Sequence, residues 1–235
     1  MSATLSRRQR QWAERENLIL ETARMFIYDK GFISLTMSEL ADAVEYSVGT
    51  LYRHFETKED LLVALAVQSI DKRARLFDQI KRLDRISRDR IYGILIVRLL
   101  LADEAPKTFD IERLASSPSI WKRANAERYR SMVEMEHNCS DTVTDIIEDA
   151  VATGDLDADL TTSGDIIFGL WSISLGFHRL VQSFNDIEQV GLVNAEAAVR
   201  KNYCMLLDSY GWKPLDGWDA DEVEMVIRRS LKLQA

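Results

Sequence analysis

Apolar and polar positions follow helical periods along nearly the whole chain. Ile19, Ala23, Phe26 and Ile27 make a stripe that predicts a first helix over residues 7–29, stopped at Gly31, a natural left-handed cap. Leu62, Leu65, Ile70, Phe77, Ile80 and Leu83 recur at near-helical spacing and predict a long helix from residue 57 to about 83. Beyond it, Ser87 is read as the cap of a helix over 88–102, and Pro106 as a break. Ser117-Pro118 then starts a helix, with proline at its first position, that continues to Thr153 before Gly154. Further helices are expected over 163–182, 195–208 and 221–231. No stretch alternates with the period of a half-buried strand, and three prolines and ten glycines are few interruptions in 235 residues. The expected fold class is all-α.

Residues 36–62, TMSELADAVEYSVGTLYRHFETKEDLL, pack three helix starts into a short stretch. Thr36 with Glu39 predicts a capping box and Thr57 with Asp60 approximates one, while Ser47 stands where a middle helix must begin. That helix, 47–54, has room for about two turns and is too short to be stable alone. Leu51 and Phe55 lie four apart and face inward, which turns Val48, Thr50, Tyr52, Arg53 and His54 mainly outward. A short helix whose outer face carries hydroxyl, aromatic and cationic groups is how a helix-turn-helix meets DNA. His54, beside the inward Phe55, either reaches a phosphate or satisfies the helix end.

Composition narrows the classes. With 46% hydrophobic and 29% charged residues the chain is an ordinary globular protein able to bury a sizeable core. No window holds about eighteen consecutive apolar residues and no secretory leader is legible, so a cytoplasmic location is expected. The net charge of −8 by itself opposes a nucleic-acid partner. Its distribution matters more: Arg7, Arg8 and Arg10 form a cationic segment, and Arg53, His54 and Lys58 cluster at the motif. Positive contact points on an acidic body weaken non-specific binding and leave discrimination to groove contacts. The cation-rich stretch 72–90 reads as a solvated face. Cys139 and Cys204 have no motif around them. Glu134 and His137 copy half of a di-iron spacing, but neither His54 nor His178 has a glutamate three residues before it, so no metal is expected. No nucleophile triad, phosphate loop or zinc spacing is present, and an enzyme is not expected.

Residues 19–62 closely resemble the DNA-binding domain of the TetR/AcrR family of transcriptional regulators. The resemblance is carried by Ile19-Leu20 with Ala23 and Phe26, Gly31-Phe32, Thr36-Met37, Leu40-Ala41, Ser47, Gly49-Thr50-Leu51-Tyr52, His54-Phe55 and Lys58. It implies an N-terminal three-helix helix-turn-helix domain, residues 1–60, joined by a long helix to a C-terminal helical ligand-binding and dimerisation domain, residues 61–235. By the same resemblance, Val48, Gly49, Thr50, Tyr52 and Arg53 make base-edge or groove contacts, and Thr36, Ser47, Tyr52, His54 and Lys58 meet phosphates. Many members carry Gly-Val in the turn where this chain has Glu45-Tyr46; a positive φ at Glu45 would add roughly 1 kcal/mol of backbone strain.

The family layout further implies a homodimer on a palindromic operator, built through helices 163–182 and 195–208. A pocket for a small apolar or aromatic effector would involve Ile94, Trp121, Met132, Met135, Phe168, Trp171 and His178, although core packing accounts for these side chains equally well. The function expected from all this is a ligand-responsive transcriptional regulator, a repressor in sign, needing no cofactor besides its effector. The alternative is an effector-independent structural or nucleoid-associated DNA-binding protein.

Overall fold

The computed structural model describes residues 6–157, 162–183, 191 and 193–231. Among the described residues the chain is helical and contains no strand. The helices are α1 (Arg7–Lys30), α2 (Met37–Ala43), α3 (Val48–His54), α4 (Lys58–Lys81), α5 (Ser87–Glu104), α6 (Pro106–Ala115), α7 (Pro118–Trp121), α8 (Ala126–Thr153), α9 (Ser163–Ser183), α10 (Ala195–Ser209) and α11 (Ala220–Ser230). None of them is long and apolar enough to cross a membrane. Packing divides the chain into two compact units, Met1–Ile70 with Lys107–Glu134 and Asp71–Pro106 with Met135–Ala235.

In the first unit, Ser6 starts α1 with a reciprocal capping box: its hydroxyl accepts the Gln9 N–H at 3.2 Å, and the Gln9 side chain accepts the Ser6 N–H at 2.8 Å. Gly31, at φ 78°, ends the helix in a conformation that a side chain would strain. Ile19, Leu20, Ala23, Leu35, Leu40, Leu51, Phe55, Leu61 and Leu62 make the core, so the apolar stripes of α1 to α4 converge as their periods require. Thr57 and Asp60 form the capping box that opens α4, with N–H to oxygen distances of 3.1 and 3.0 Å.

The second unit is organised around α5, buried on almost every side from Ile91 to Val97. Gly93 lets the neighbours close in, since a Cβ there would lie 2.9 Å from Ile80 Cγ2 and 3.0 Å from Ile227 Cδ1. Ser87 does not cap α5, contrary to the expectation. The N-cap is Ile86, which makes no side-chain bond. The Ser87 hydroxyl is instead buried, donating to Asp155 Oδ2 at 2.6 Å and accepting from Trp212 Nε1 at 3.0 Å. Beside it the Arg88 guanidinium, 2% exposed, binds the Trp212 carbonyl and Asp208 and lies 4.6 Å over the Trp218 ring.

Two other expectations are corrected. Pro106 does not merely break the chain; it occupies the first position of α6, where its missing N–H costs nothing. The helix expected over 118–153 is two helices, because the Asn125 side chain accepts the Glu127 N–H at 2.9 Å and so starts α8 afresh. The division drawn at residue 60 from sequence also differs from the packing division, which leaves residues 61–70 and 107–134 with the N-terminal helices.

Candidate nucleic-acid interface

The helix-turn-helix is set by short-range hydrogen bonds. The Thr36 hydroxyl accepts the Glu39 N–H at 3.3 Å and donates to the Glu39 carboxylate at 2.8 Å, so Glu39 closes on the hydroxyl and not on the backbone N–H of a full capping box. After α2, Glu45 adopts φ 57° and the Tyr46 N–H returns to the Ala41 carbonyl at 3.0 Å. Ser47 then caps α3 by accepting the Thr50 N–H at 3.2 Å. The Ser47 and Thr50 hydroxyls lie 2.9 Å apart, and Arg53 Nη2 donates to Thr50 Oγ1 at 3.1 Å. Three polar side chains thus form one line along α3, and the guanidinium is held before any partner arrives.

Leu51 is fully buried beneath this line, while Tyr52 is 49% exposed and Val48 36%. A Cβ on Gly49 would meet nothing of the protein nearer than Ser47 Oγ at 4.0 Å. The free space lies outside the protein, where a duplex backbone could approach. Thr36, Ser47, Val48, Gly49, Tyr52 and Arg53 are exposed and Thr50 is half-buried. Lys58 is half-exposed and engaged with the fold: its ammonium donates to the Ile33 carbonyl at 3.3 Å and lies 5.0 Å over the Phe32 ring.

His54 does not belong to that face. Only 5% exposed, it stacks on Trp12 at 3.7 Å between ring centroids, with the Glu16 carboxylate 3.8 Å from Nδ1, beyond hydrogen-bond reach. Burial lowers its pKa against the opposing pull of Glu16, so the ring is neutral at neutral pH. A neutral, buried imidazole is no phosphate ligand, and the phosphate role assigned to His54 is withdrawn.

The end of α3 is clamped by residues that sequence reasoning missed. Arg128 Nη2 donates to the His54 carbonyl at 2.8 Å, Nη1 to Glu16 at 3.0 Å, and the guanidinium lies 4.7 Å over the Phe55 ring. A carbonyl left without an intrahelical partner is thereby satisfied. Asp60, 1% exposed, takes the Asn125 N–H as well as that of Thr57. The one available signal was Trp12, a large apolar ring in an otherwise polar run, which predicts a partner.

The expected effector residues do not all suit an enclosed pocket. Phe168 is 69% exposed and Trp171 54%, so neither is enclosed by the described residues. Trp121 stacks on Tyr129 at 5.2 Å and Met132 is buried in the first unit. Ile94 and His178 are buried and Met135 half-buried in the second. Burial, aided by Arg98 and Arg73, pushes the His178 pKa down to about 4. An open cleft of about 240 Å³ lies elsewhere, between α1, α4 and α8, and is lined by Glu16, Asn17, Gln68 and Arg128 among others.

Comparison with known proteins places this geometry. The sequence model of the family described as "Bacterial regulatory proteins, tetR family" matches residues 19–65. A TetR/AcrR-family transcriptional regulator from Thermobifida fusca is similar in structure, with a TM-score of 0.62, 22% identity, and coverage of 84% of this chain and 98% of that one. A tetR-family regulatory protein from Rhodococcus RHA1 is similar with a TM-score of 0.65 and 16% identity over 85% and 98% of the two chains. The regulator PfmR from Thermus thermophilus gives a TM-score of 0.62 at 16% identity, over 81% and 97%. No curated protein matches the chain significantly.

Proposed function

We infer that this chain, which belongs to the TetR/AcrR family of transcriptional regulators, acts as a homodimeric repressor that binds a palindromic operator through α3 and is released by a small effector. The observation that carries the reading is the recognition face itself. Ser47, Thr50 and Arg53 form one hydrogen-bonded line beside exposed Tyr52 and Val48, on a helix whose opposite side is wholly buried. Seven residues reach only a few bases, each good bidentate pair giving about 1–3 kcal/mol of discrimination. Two copies one DNA turn apart supply what a single helix cannot.

The exposed apolar side chains of α9 and α10 support the dimer. Phe168, Trp171, Leu180 and Met205, from 52% to 69% exposed, suit a surface that a second copy covers. Phe168 and Trp171 are accordingly assigned to that contact and not to the effector. The effector remains a small apolar or aromatic molecule, and to release DNA it must bind the non-operator shape more tightly than the operator shape.

Selection of bound fragments from random duplex DNA tests the reading. The expected product is a palindrome whose half-sites lie one helical turn, or a multiple of it, apart. Tyr52→Ala and Arg53→Ala should each lose the preference for that site while keeping wild-type helical content. Footprinting in which Arg53→Ala protects the selected site as strongly as wild type would overturn the contact assignment.

A further inference from the structure

We propose that the N-terminal extension of α1, residues 7–15, is a second DNA-contacting element, with Arg8 and Arg15 set against phosphates beside the groove that α3 enters. This rests on the DNA-binding reading above and adds an element that the family match, which begins at residue 19, does not include.

Apart from Trp12, the core does not use this segment. The first buried residue of α1 is Ile19, and every residue from 6 to 15 is exposed. On a chain of net charge −8, residues 7–15 hold four arginines and one acid, Glu14. Three of the arginines stand in the first four positions of the helix, where the macrodipole favours acids, and the first turn contains none. Such a placement is unfavourable in the free protein and becomes favourable against an external anion.

The segment is also fixed in place. Trp12 stacks on His54, the last residue of α3, and Glu16 is held by Arg128, which binds the His54 carbonyl. Arg8 and Arg15 lie four residues before and three after Trp12, on its side of the helix. The Trp12 stack thus holds this stretch at the C-terminal end of α3, next to His54. Apart from Trp12 and Ala13 the extension has no apolar residue, so it lacks the buried face that an amphipathic helix needs on a membrane. Its charge and its attachment to α3 match a duplex.

The full-length protein is titrated with the selected palindrome and with a scrambled duplex over a range of KCl concentrations. In the Arg8→Ala, Arg15→Ala double variant, affinity for both duplexes is expected to fall while the preference between them persists. The slope of log K against log salt is expected to shrink by about 0.9 for each phosphate that the variant no longer neutralises. Arg75→Ala, an arginine of the second unit, should leave the slope unchanged. Trp12→Ala keeps all four arginines and is expected to bind more weakly too, because they are no longer held; wild-type affinity there would overturn the proposal.

A double variant with wild-type affinity and slope, in a protein that still prefers the palindrome, overturns the α1 contact and leaves the α3 reading standing. A wild-type protein that prefers no duplex overturns both. Binding to phosphatidylserine–phosphatidylcholine vesicles that the double variant loses, with duplex binding unchanged, would assign the arginines to a membrane and overturn the proposal as well.

Discussion

Glu45 occupies the left-handed region at φ 57°, the one non-glycine residue to do so among those described, in the turn that aims α3. A side chain there crowds its own carbonyl, and glycine does not. Glu45→Gly is expected to raise stability by about 1 kcal/mol in urea titration and, by removing a carboxylate from the turn, to strengthen operator binding; an unchanged midpoint would show the turn to be unstrained. His54 illustrates the opposite lesson. Leu51, His54 and Phe55 stand at positions i, i+3 and i+4, so the helical period by itself permitted an inward histidine, and its polarity argued for an outward one. Trp12 and Arg128 decide the matter, from 42 and 74 residues away. His54→Ala is therefore expected to lower stability by about 1–2 kcal/mol, through the missing stack and the space left behind, and not merely to weaken DNA binding. Equal unfolding midpoints for the variant and wild type would contradict this placement.

At the scale of elements, starts and stops follow local chemistry wherever an oxygen side chain is not drawn elsewhere. Thr36, Ser47, Thr57 and Asn194 each bond to a backbone N–H at or next to a helix start, whereas the Ser87 hydroxyl is taken by Asp155 and Trp212. α5 depends on close approach at Gly93: Gly93→Ala is expected to destabilise by about 1–3 kcal/mol, because Ile80 is β-branched and yields poorly. Thermal unfolding would measure it, and a wild-type midpoint would mean that the neighbours move freely. α9 carries a pH dependence in buried His178, which faces the cations Arg98 and Arg73, the latter paired with Glu136 at 2.7 Å. Its folded pKa of about 4 lies below the ordinary 6.5, so the unfolded chain binds the proton more readily. Its contribution is fully present above pH 6.5 and is lost as pH falls toward 4. His178→Gln is expected to flatten the stability profile between those values, and an unaltered slope would remove His178 as the cause.

For the whole molecule, the apolar side chains left outside on α9 and α10 call for a partner surface. On the proposed dimer, Trp171→Asp is expected to shift the protein from dimer to monomer in sedimentation equilibrium and to weaken operator binding without loss of helical content; a variant that stays dimeric would place the contact elsewhere. The helical class, most helix limits, the caps at Thr36, Ser47 and Thr57 and the outward positions of Val48, Tyr52 and Arg53 were legible in the sequence, since period and capping act within about four residues of the chain. The two-unit packing, the burial of His54 and Ser87, the Arg128 clamp and the exposure of Phe168 and Trp171 were decided only by the tertiary structure. Each of these depends on which distant side chain claims a hydrogen bond or covers a ring, and local periodicity carries no record of partners tens of residues apart.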